Sequence, residues 1–192
     1  LHLSGAGNKV LFSSRHPDKL QYLADKAGGG ARTGSVEEAA EFGSIIILAL
    51  PFRAVGEVAE KIEHEPGKII IDATNPFPDR DGDVARKQRE SGLTASEFIA
   101  GYFPGAHLVK AFNTIYYRHL EEQAFRPGGR RAIPYAGDHQ SSLDKVEKLI
   151  QDIGFGPVYI GKLSESRIME PGQPLFTSDL NVEELKQVLE NH

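Results

Sequence analysis

The sequence predicts an α/β fold: a doubly wound parallel sheet in a single domain, followed by a short C-terminal helical tail. Three observations carry this. Short apolar runs alternate with segments of helical periodicity along nearly the whole chain. One run, Ile45-Ile46-Ile47-Leu48-Ala49-Leu50, is apolar at every position, which implies burial on both faces, as in a central parallel strand covered by helices. The length, 192 residues, suits one such domain with a small appendage.

Taken in order, residues 9–14 read as a strand and residues 16–27 as a helix, with Leu20, Leu23 and Ala27 at helical spacing and Gly28-Gly29-Gly30 as its stop. A short strand is expected at residues 31–33. Ser35 and Glu38 then have capping-box spacing, in which a hydroxyl and a carboxylate satisfy the free amides of a new helix. Pro51 ends the strand at residues 45–50, and Val55, Val58, Ala59 and Ile62 form the apolar stripe of the next helix. Residues 68–72 are a strand. Residues 76–92, rich in Asp, Arg and Gly, read as an exposed loop or a short polar helix. Thr94 and Glu97 make a second capping box, and residues 108–112 and 132–136 are strands. Leu143, Val146, Leu149, Ile150 and Ile153 mark a helix closed by Gly154, and residues 158–160 are the last strand. Asn181 can cap a final helix carrying Val182, Leu185, Val188 and Leu189.

Composition excludes several classes of function. The chain has no cysteine, which removes disulfide scaffolds, thiolate nucleophiles, thiolate zinc sites and iron–sulfur clusters, and fits a reducing cytoplasm. No stretch approaches the roughly 18 unbroken apolar residues of a membrane span. Net charge is −5, from 22 Lys+Arg against 27 Asp+Glu, so no general basic field invites nucleic acid. An anionic partner must be held by a few local cations. The seven histidines, at positions 2, 16, 64, 107, 119, 139 and 192, have no metal-ligand spacing.

Gly5-Ala6-Gly7 does not read as a dinucleotide phosphate loop. That loop needs a buried strand before its glycines and a helix after them, so that the helix N-terminus meets the pyrophosphate. Only Leu1 to Ser4 precede, and a strand follows; residues 1–4 read instead as the last turn of a helix, and Gly5 to Asn8 as a helix-to-strand turn. The first strand of a doubly wound sheet and its glycine loop are therefore expected upstream, within roughly 15–25 residues.

Ser13-Ser14-Arg15-His16-Pro17-Asp18-Lys19 is the most informative segment. In Rossmann-type folds the end of the second strand meets the adenosine ribose, and an acidic residue there selects NAD. Here the strand ends in two hydroxyls and an arginine, with a lysine four residues later. A guanidinium fork with hydroxyl donors suits the 2′-phosphate of NADP(H). Arg15 is expected over the adenine and phosphate, Ser14 as a donor to a phosphate oxygen, and Lys19 as the second cation. The competing reading makes Arg15 and Lys19 solvated surface charges and the serines helix caps.

The runs SSRHPDK, IIILALPFRAV, IIIDATNPF, GAHLVKAFNTI, YAGD and IMEPGQPLF, in that order, give the chain a resemblance to a family. It resembles the NADP oxidoreductases dependent on the deazaflavin coenzyme F420, within a broader group of dinucleotide-binding reductases, and is similar to the cytosolic NADPH domain of membrane ferric reductases. The resemblance implies that Ser14, Arg15 and Lys19 hold the 2′-phosphate, that Ala49, Leu50 and Pro51 line the ribose and nicotinamide side, and that Asn75 and Pro76 edge the same cleft. It also implies that Ala111, Phe112 and Asn113 lie near the nicotinamide, where a second substrate stacks. These segments fall at or just past strand C-termini, where open α/β sheets bind ligands. Each also has a plainer reading: Pro51 and Pro76 as element stops, Asn75 as a turn residue, Phe112 as core.

Hydride transfer between NADP(H) and a flavin, deazaflavin or related small-molecule acceptor needs two rings stacked in a dry cleft and no protein nucleophile. No catalytic side chain and no metal ligand is therefore singled out. Tyr116, Tyr117 and His119 either close over the substrate or begin an amphipathic helix. Related reductases append a helical domain of roughly 100 residues, whereas only 32 residues follow Ile160 here. Residues 1–162 are read as the NADP-binding domain, and residues 163–192 as an extension packing on it or on a homodimer partner. Residues 167–180 help build the substrate site. A second hypothesis makes the chain a non-catalytic NADP(H) sensor; apolar residues around Pro171 to Phe176 buried in a dimer favour an enclosed active site, a flat exposed surface there the sensor.

Overall fold

A computed structural model describes residues 1–63 and 65–191; of the histidines named above, His64 and His192 lie outside them. Among the described residues the chain forms β1 (Leu11–Ser13), β2 (Arg32–Gly34), β3 (Ile45–Leu48), β4 (Ile69–Asp72), β5 (His107–Ala111), β6 (Ala132–Gly137) and β7 (Gly156–Gly161). The helices are α1 (His2–Gly5), α2 (Gln21–Ala27), α3 (Val36–Phe42), α4 (Val55–Ala59), α5 (Pro78–Ser91), α6 (Ala95–Ala100), α7 (Tyr117–Glu122), α8 (Gln140–Asp152) and α9 (Val182–Glu190). The capping boxes predicted at Ser35–Glu38 and Thr94–Glu97 form, and Asn181 caps α9 with Glu184 in a third. The helix expected at residues 16–27 divides into a 3-10 turn, Pro17–Leu20, and α2.

The α/β fold is parallel-dominated and Rossmann-like. β3, β4 and β5 run parallel in register, β6 pairs antiparallel with β5, and β7 pairs parallel with β6. The wholly parallel sheet of the sequence reading is corrected at this one junction. β1 and β2 form their own parallel ladder, and among the described residues no ladder joins it to β3. β3 is thus an edge strand, with Ile45, Ile46 and Ile47 half-buried; β5 lies in the middle of the five, and β4 and β6 are buried at every position. The apolar run at residues 45–50 signals two packed faces but not the number of hydrogen-bonded neighbours.

Alternation along the strands sends side chains into layers on both faces. Leu48, Ile70 and Leu108 pack with Phe52, Val55, Ile99 and Phe103 on one side. Ile69, Ile71, Val109 and Ile133 pack with Leu143, Val146 and Ile150 of α8 on the other. Each such aliphatic side chain, removed from water, contributes about 1.5–3 kcal/mol. The polar stretch at residues 76–92 is a correction: it is mostly helix, α5, broken at Gly82, whose φ of 54° is the left-handed conformation that glycine tolerates. Its inner side buries Asp81, Ala85 and Gln88.

The described part of the C-terminal extension, residues 163–191, packs on the sheet. A 3-10 segment (Leu163–Met169) lies against α6, β6 and β7, and α9 lies against β7. Met169, Leu175 and Leu185, all fully buried, close a third apolar cluster with Ala132, Ala136 and Val158. Leu175→Ala is expected to cost about 2–5 kcal/mol by leaving a cavity there. Urea denaturation should then give one cooperative transition at a lower midpoint; separate unfolding of the tail, with the sheet's midpoint unchanged, would contradict this packing.

Candidate functional site

The C-terminal ends of β4 and β5 carry a buried ion pair. Register places Asp72 opposite Lys110, and both side chains are fully buried. Lys110 Nζ donates to Asp72 Oδ2 at 3.0 Å and to the Thr74 carbonyl at 2.6 Å. Ser96 Oγ of α6 donates to the same carboxylate oxygen at 2.6 Å, while Thr74 donates its amide and hydroxyl to Asp72 Oδ1. A buried pair is tolerated when its remaining hydrogen-bonding capacity is met. Here that capacity fixes the path of the turn leaving β4.

That turn carries Asn75 to Asn113, just past β5. Asn75 Nδ2 donates to the Asn113 carbonyl at 2.9 Å, and Asn113 Nδ2 donates to Asn75 Oδ1 at 3.0 Å and to the Met169 carbonyl at 2.8 Å. Asn113 Oδ1 is buried without a hydrogen-bond partner among the described residues. The preceding residue, Phe112, has φ of 64°, a left-handed conformation that costs a non-glycine residue about 1–2 kcal/mol. Strain and an orphaned acceptor side by side are features of ligand sites. The Ala111 side chain is fully buried among core residues, so at this position only the backbone is available to a ligand.

Arg80 and Asp81 brace the same edge. Arg80 Nη2 donates to the Asn75 carbonyl at 2.6 Å, and Asp81 accepts from the amides of Phe77 and Arg53. Burial alone would raise the Asp81 carboxyl; the Arg80 side chain and those two amides outweigh it and hold its pKa below the ordinary value. The tail completes the wall: Phe176 meets Phe77 edge-on at 6.1 Å, and Pro76 and Pro171 line one cavity.

The phosphate-binding candidates stand on the other ladder, at the tip of β1. Arg15 and Lys19 are exposed, and neither side chain has an ion-pair or hydrogen-bond partner among the described residues. Ser14 Oγ accepts from the His16 amide at 3.0 Å, which leaves its hydroxyl hydrogen available to donate. Ser13 Oγ is buried and unpartnered. Two unneutralised cations beside two hydroxyls fit a phosphate monoester. Ala49 and Pro51 are exposed and Leu50 half-buried at the end of β3. Tyr116 and Tyr117 are exposed, with ring centroids 4.6 Å apart, ahead of a short helix, and His119 Nδ1 lies 3.0 Å from Arg131 Nη1.

A mostly parallel, Rossmann-like sheet with hydrogen-bonding side chains gathered at the ends of β4 and β5, beside a two-stranded ladder tipped with hydroxyls and cations, has the layout of an α/β ligand-binding fold. Residues 1–76 match the family model described as "NADP oxidoreductase coenzyme F420-dependent", in agreement with the resemblance read from the sequence. The chain is 27% identical over 168 residues to the metalloreductase STEAP3 of Rattus norvegicus, covering 88% of this chain and 32% of that protein. It thus spans about a third of that curated relative's length. Among solved structures, a hypothetical protein, SMa0349, from Sinorhizobium meliloti superposes with a TM-score of 0.83 at 27% identity, over 94% of this chain and 87% of that one. A protein put forward as an F420-dependent NADP reductase, from Arthrobacter sp. FB24, superposes with a TM-score of 0.60 at 18% identity, over 86% and 80%, which speaks to fold alone.

Several residues escaped the sequence reading. Asp72 and Lys110 were read only as parts of strands, although a charge near the C-terminal end of each of two apolar strands was a visible signal. Arg80 and Asp81 lay in the stretch read as polar, and Ser13 Oγ and the Phe112 conformation have no sequence signature. Lys110→Met should leave the Asp72 carboxylate buried and unpaired, costing about 3–5 kcal/mol. Asp72→Asn combined with Lys110→Met should recover part of that loss in chemical denaturation; strict additivity of the two single changes would show the pair to be uncoupled.

Proposed function

We propose that this chain is the NADP(H)-binding module of an oxidoreductase that passes hydride between the nicotinamide and a flavin, deazaflavin or related acceptor. The observation that carries the reading is the tip of β1, where Arg15 and Lys19, without side-chain partners among the described residues, follow the Ser13 and Ser14 hydroxyls in the chain. A charged group whose field no protein carboxylate neutralises is available to an external anion, and the fold puts the adenosine 2′-position at this strand end. In this reading Arg15 and Lys19 grip the 2′-phosphate, Ser14 donates to one of its oxygens, and Ala49, Leu50 and Pro51 face the ribose.

When bound, NADPH supplies a hydride from its nicotinamide, and the acceptor ring takes that hydride together with a proton from solvent. The chain's own contribution is placement. Asn75 and Asn113 hold each other across the ends of β4 and β5, and the unpaired Asn113 Oδ1 suits an amide donor such as the nicotinamide carboxamide. Pro76, Phe77 and Phe176 exclude water from the same edge. Within the chain Leu175 is fully buried and Phe176 half-buried on Phe77, while Gly172, Gln173 and Pro174 are exposed, a surface that a dimer partner would cover in this reading. The reading also includes a homodimer partner over the acceptor side and a reducing cytoplasm, supported by the lack of cysteine.

Arg15→Ala is expected to weaken NADPH binding about 10–100-fold, the worth of a charge-assisted contact to phosphate, with NADH binding nearly unchanged in a fluorescence titration. Equal losses for both coenzymes would remove the assignment. Absorbance at the nicotinamide band, followed with FMN, FAD or a deazaflavin present, tests the chemistry. Tight NADPH binding without oxidation by any of the three would leave the sensor reading ahead.

A further inference from the structure

Pro76, the residue after Asn75, is also a wall of a cavity of about 140 Å³ between α5 and the end of the 3-10 segment Leu163–Met169 with the residues just after it. Pro78 and Pro171 supply apolar walls, and Arg89, Arg167 and Glu170 supply the charges. The volume lies well below the roughly 300 Å³ at which pockets for whole drug-sized ligands begin. It is room for one end group of a larger molecule whose body lies outside.

The charges in this cavity are unevenly satisfied. Arg89 is exposed on α5 and has no ion-pair or hydrogen-bond partner among the described residues. Arg167 donates Nη2 to the Gly92 carbonyl at 2.7 Å, a neutral partner, and its Nη1 stands 3.9 Å from Glu170 Oε2, beyond hydrogen-bond reach. Glu170, itself buried, is engaged elsewhere: its Oε1 accepts from the Ala95 amide at the start of α6, at 2.7 Å. Two arginines therefore line a cavity whose one carboxylate is already bound to backbone. They also come from separate elements, α5 and the tail. A planar carboxylate is saturated by one guanidinium fork, whereas a tetrahedral group with three terminal oxygens can accept from two.

We propose that this cavity is a phosphate subsite for the hydride acceptor, in which Arg89 and Arg167 bind a phosphate monoester on the acceptor's side chain and so select phosphorylated flavins over neutral ones. This rests on the oxidoreductase reading above and names the acceptor's distinguishing group. Placement fits that role, because Pro76 is shared between the cavity and the edge where Asn75 meets Asn113.

FMN and riboflavin share one ring system and differ only in the terminal phosphate, so they isolate the subsite. Equilibrium dialysis of the full chain without NADPH should give FMN about a tenfold or greater advantage in affinity over riboflavin at low salt. Arg89→Ala should remove most of that advantage while leaving riboflavin binding unchanged, and Arg89→Lys should retain part of it. Arg89 has no internal partner to lose, so the variant is expected to unfold at the wild-type midpoint. Equal affinity for the two flavins, binding of neither, or an FMN advantage that survives Arg89→Ala would overturn the proposal. NADPH oxidation is read separately. Oxidation equally fast with FMN and riboflavin would sink the subsite and spare the oxidoreductase reading; an FMN advantage in binding without any NADPH oxidation would do the reverse.

Discussion

The cross-strand pair between Asp72 and Lys110 is the contact on which the candidate site at the ends of β4 and β5 depends. A fully buried lysine and aspartate are costly to desolvate, and the cost is offset only because Thr74, Ser96 and the Thr74 carbonyl complete their hydrogen bonding. The same bonds fix the backbone of the turn after β4 and tether α6 to it. Neighbouring apolar pairs such as Ile70 and Leu108 hold the strands together equally well but would leave that turn free to choose its path. The ion pair converts a sheet edge into a positioned loop, and Asn75 follows from it.

From Asn75 the constraint passes to residues distant in sequence. Asn113 is held by Asn75 on one side and by the Met169 carbonyl on the other, so the end of β5 is clamped between the β4 turn and the tail. Phe112 then has little freedom, and its left-handed backbone is what remains when both flanks are fixed. The tail is tied again through Glu170 to α6, Arg167 to the Gly92 carbonyl, and Phe176 to Phe77.

Legibility in the sequence followed the range of the interaction. Caps and helix stops were read correctly at Ser35, Thr94 and Asn181 because a capping box is closed within four residues. Periodicity found the strands and α8, since burial of one face is written along the element itself. Long-range relations were not written locally. That β6 runs antiparallel to β5 depends on how the chain crosses between residues 111 and 132. That β3 is an edge depends on which ladder its neighbours join. In residues 76–92, the polar composition hid a helix because Gly82 breaks the periodicity and Asp81 is buried against Phe77 and Arg53 amides rather than against apolar neighbours. At the candidate site, Ser14, Arg15 and Lys19 were legible as a set of hydroxyl and cations at a strand end, whereas membership of a motif does not say that the Ala111 side chain packs wholly into the core.

The two halves of the candidate site are supported differently, and that difference bears on how they can work. The cations at the β1 tip belong to a short two-stranded ladder that, among the described residues, has no hydrogen-bonded connection to β3 and gives the Arg15 and Lys19 side chains no hydrogen bond or ion pair. Exposed charges of this kind gain most from an external anion, because no internal ion pair has to be broken first. The Asn75–Asn113 edge is the opposite, locked by buried charge, backbone carbonyls and aromatic packing. Hydride transfer is sensitive to ångström-scale placement of the reacting rings and far less to placement of the distant phosphate. Rigidity is therefore concentrated where a ring would react, and adaptability where a phosphate would be recognised by charge.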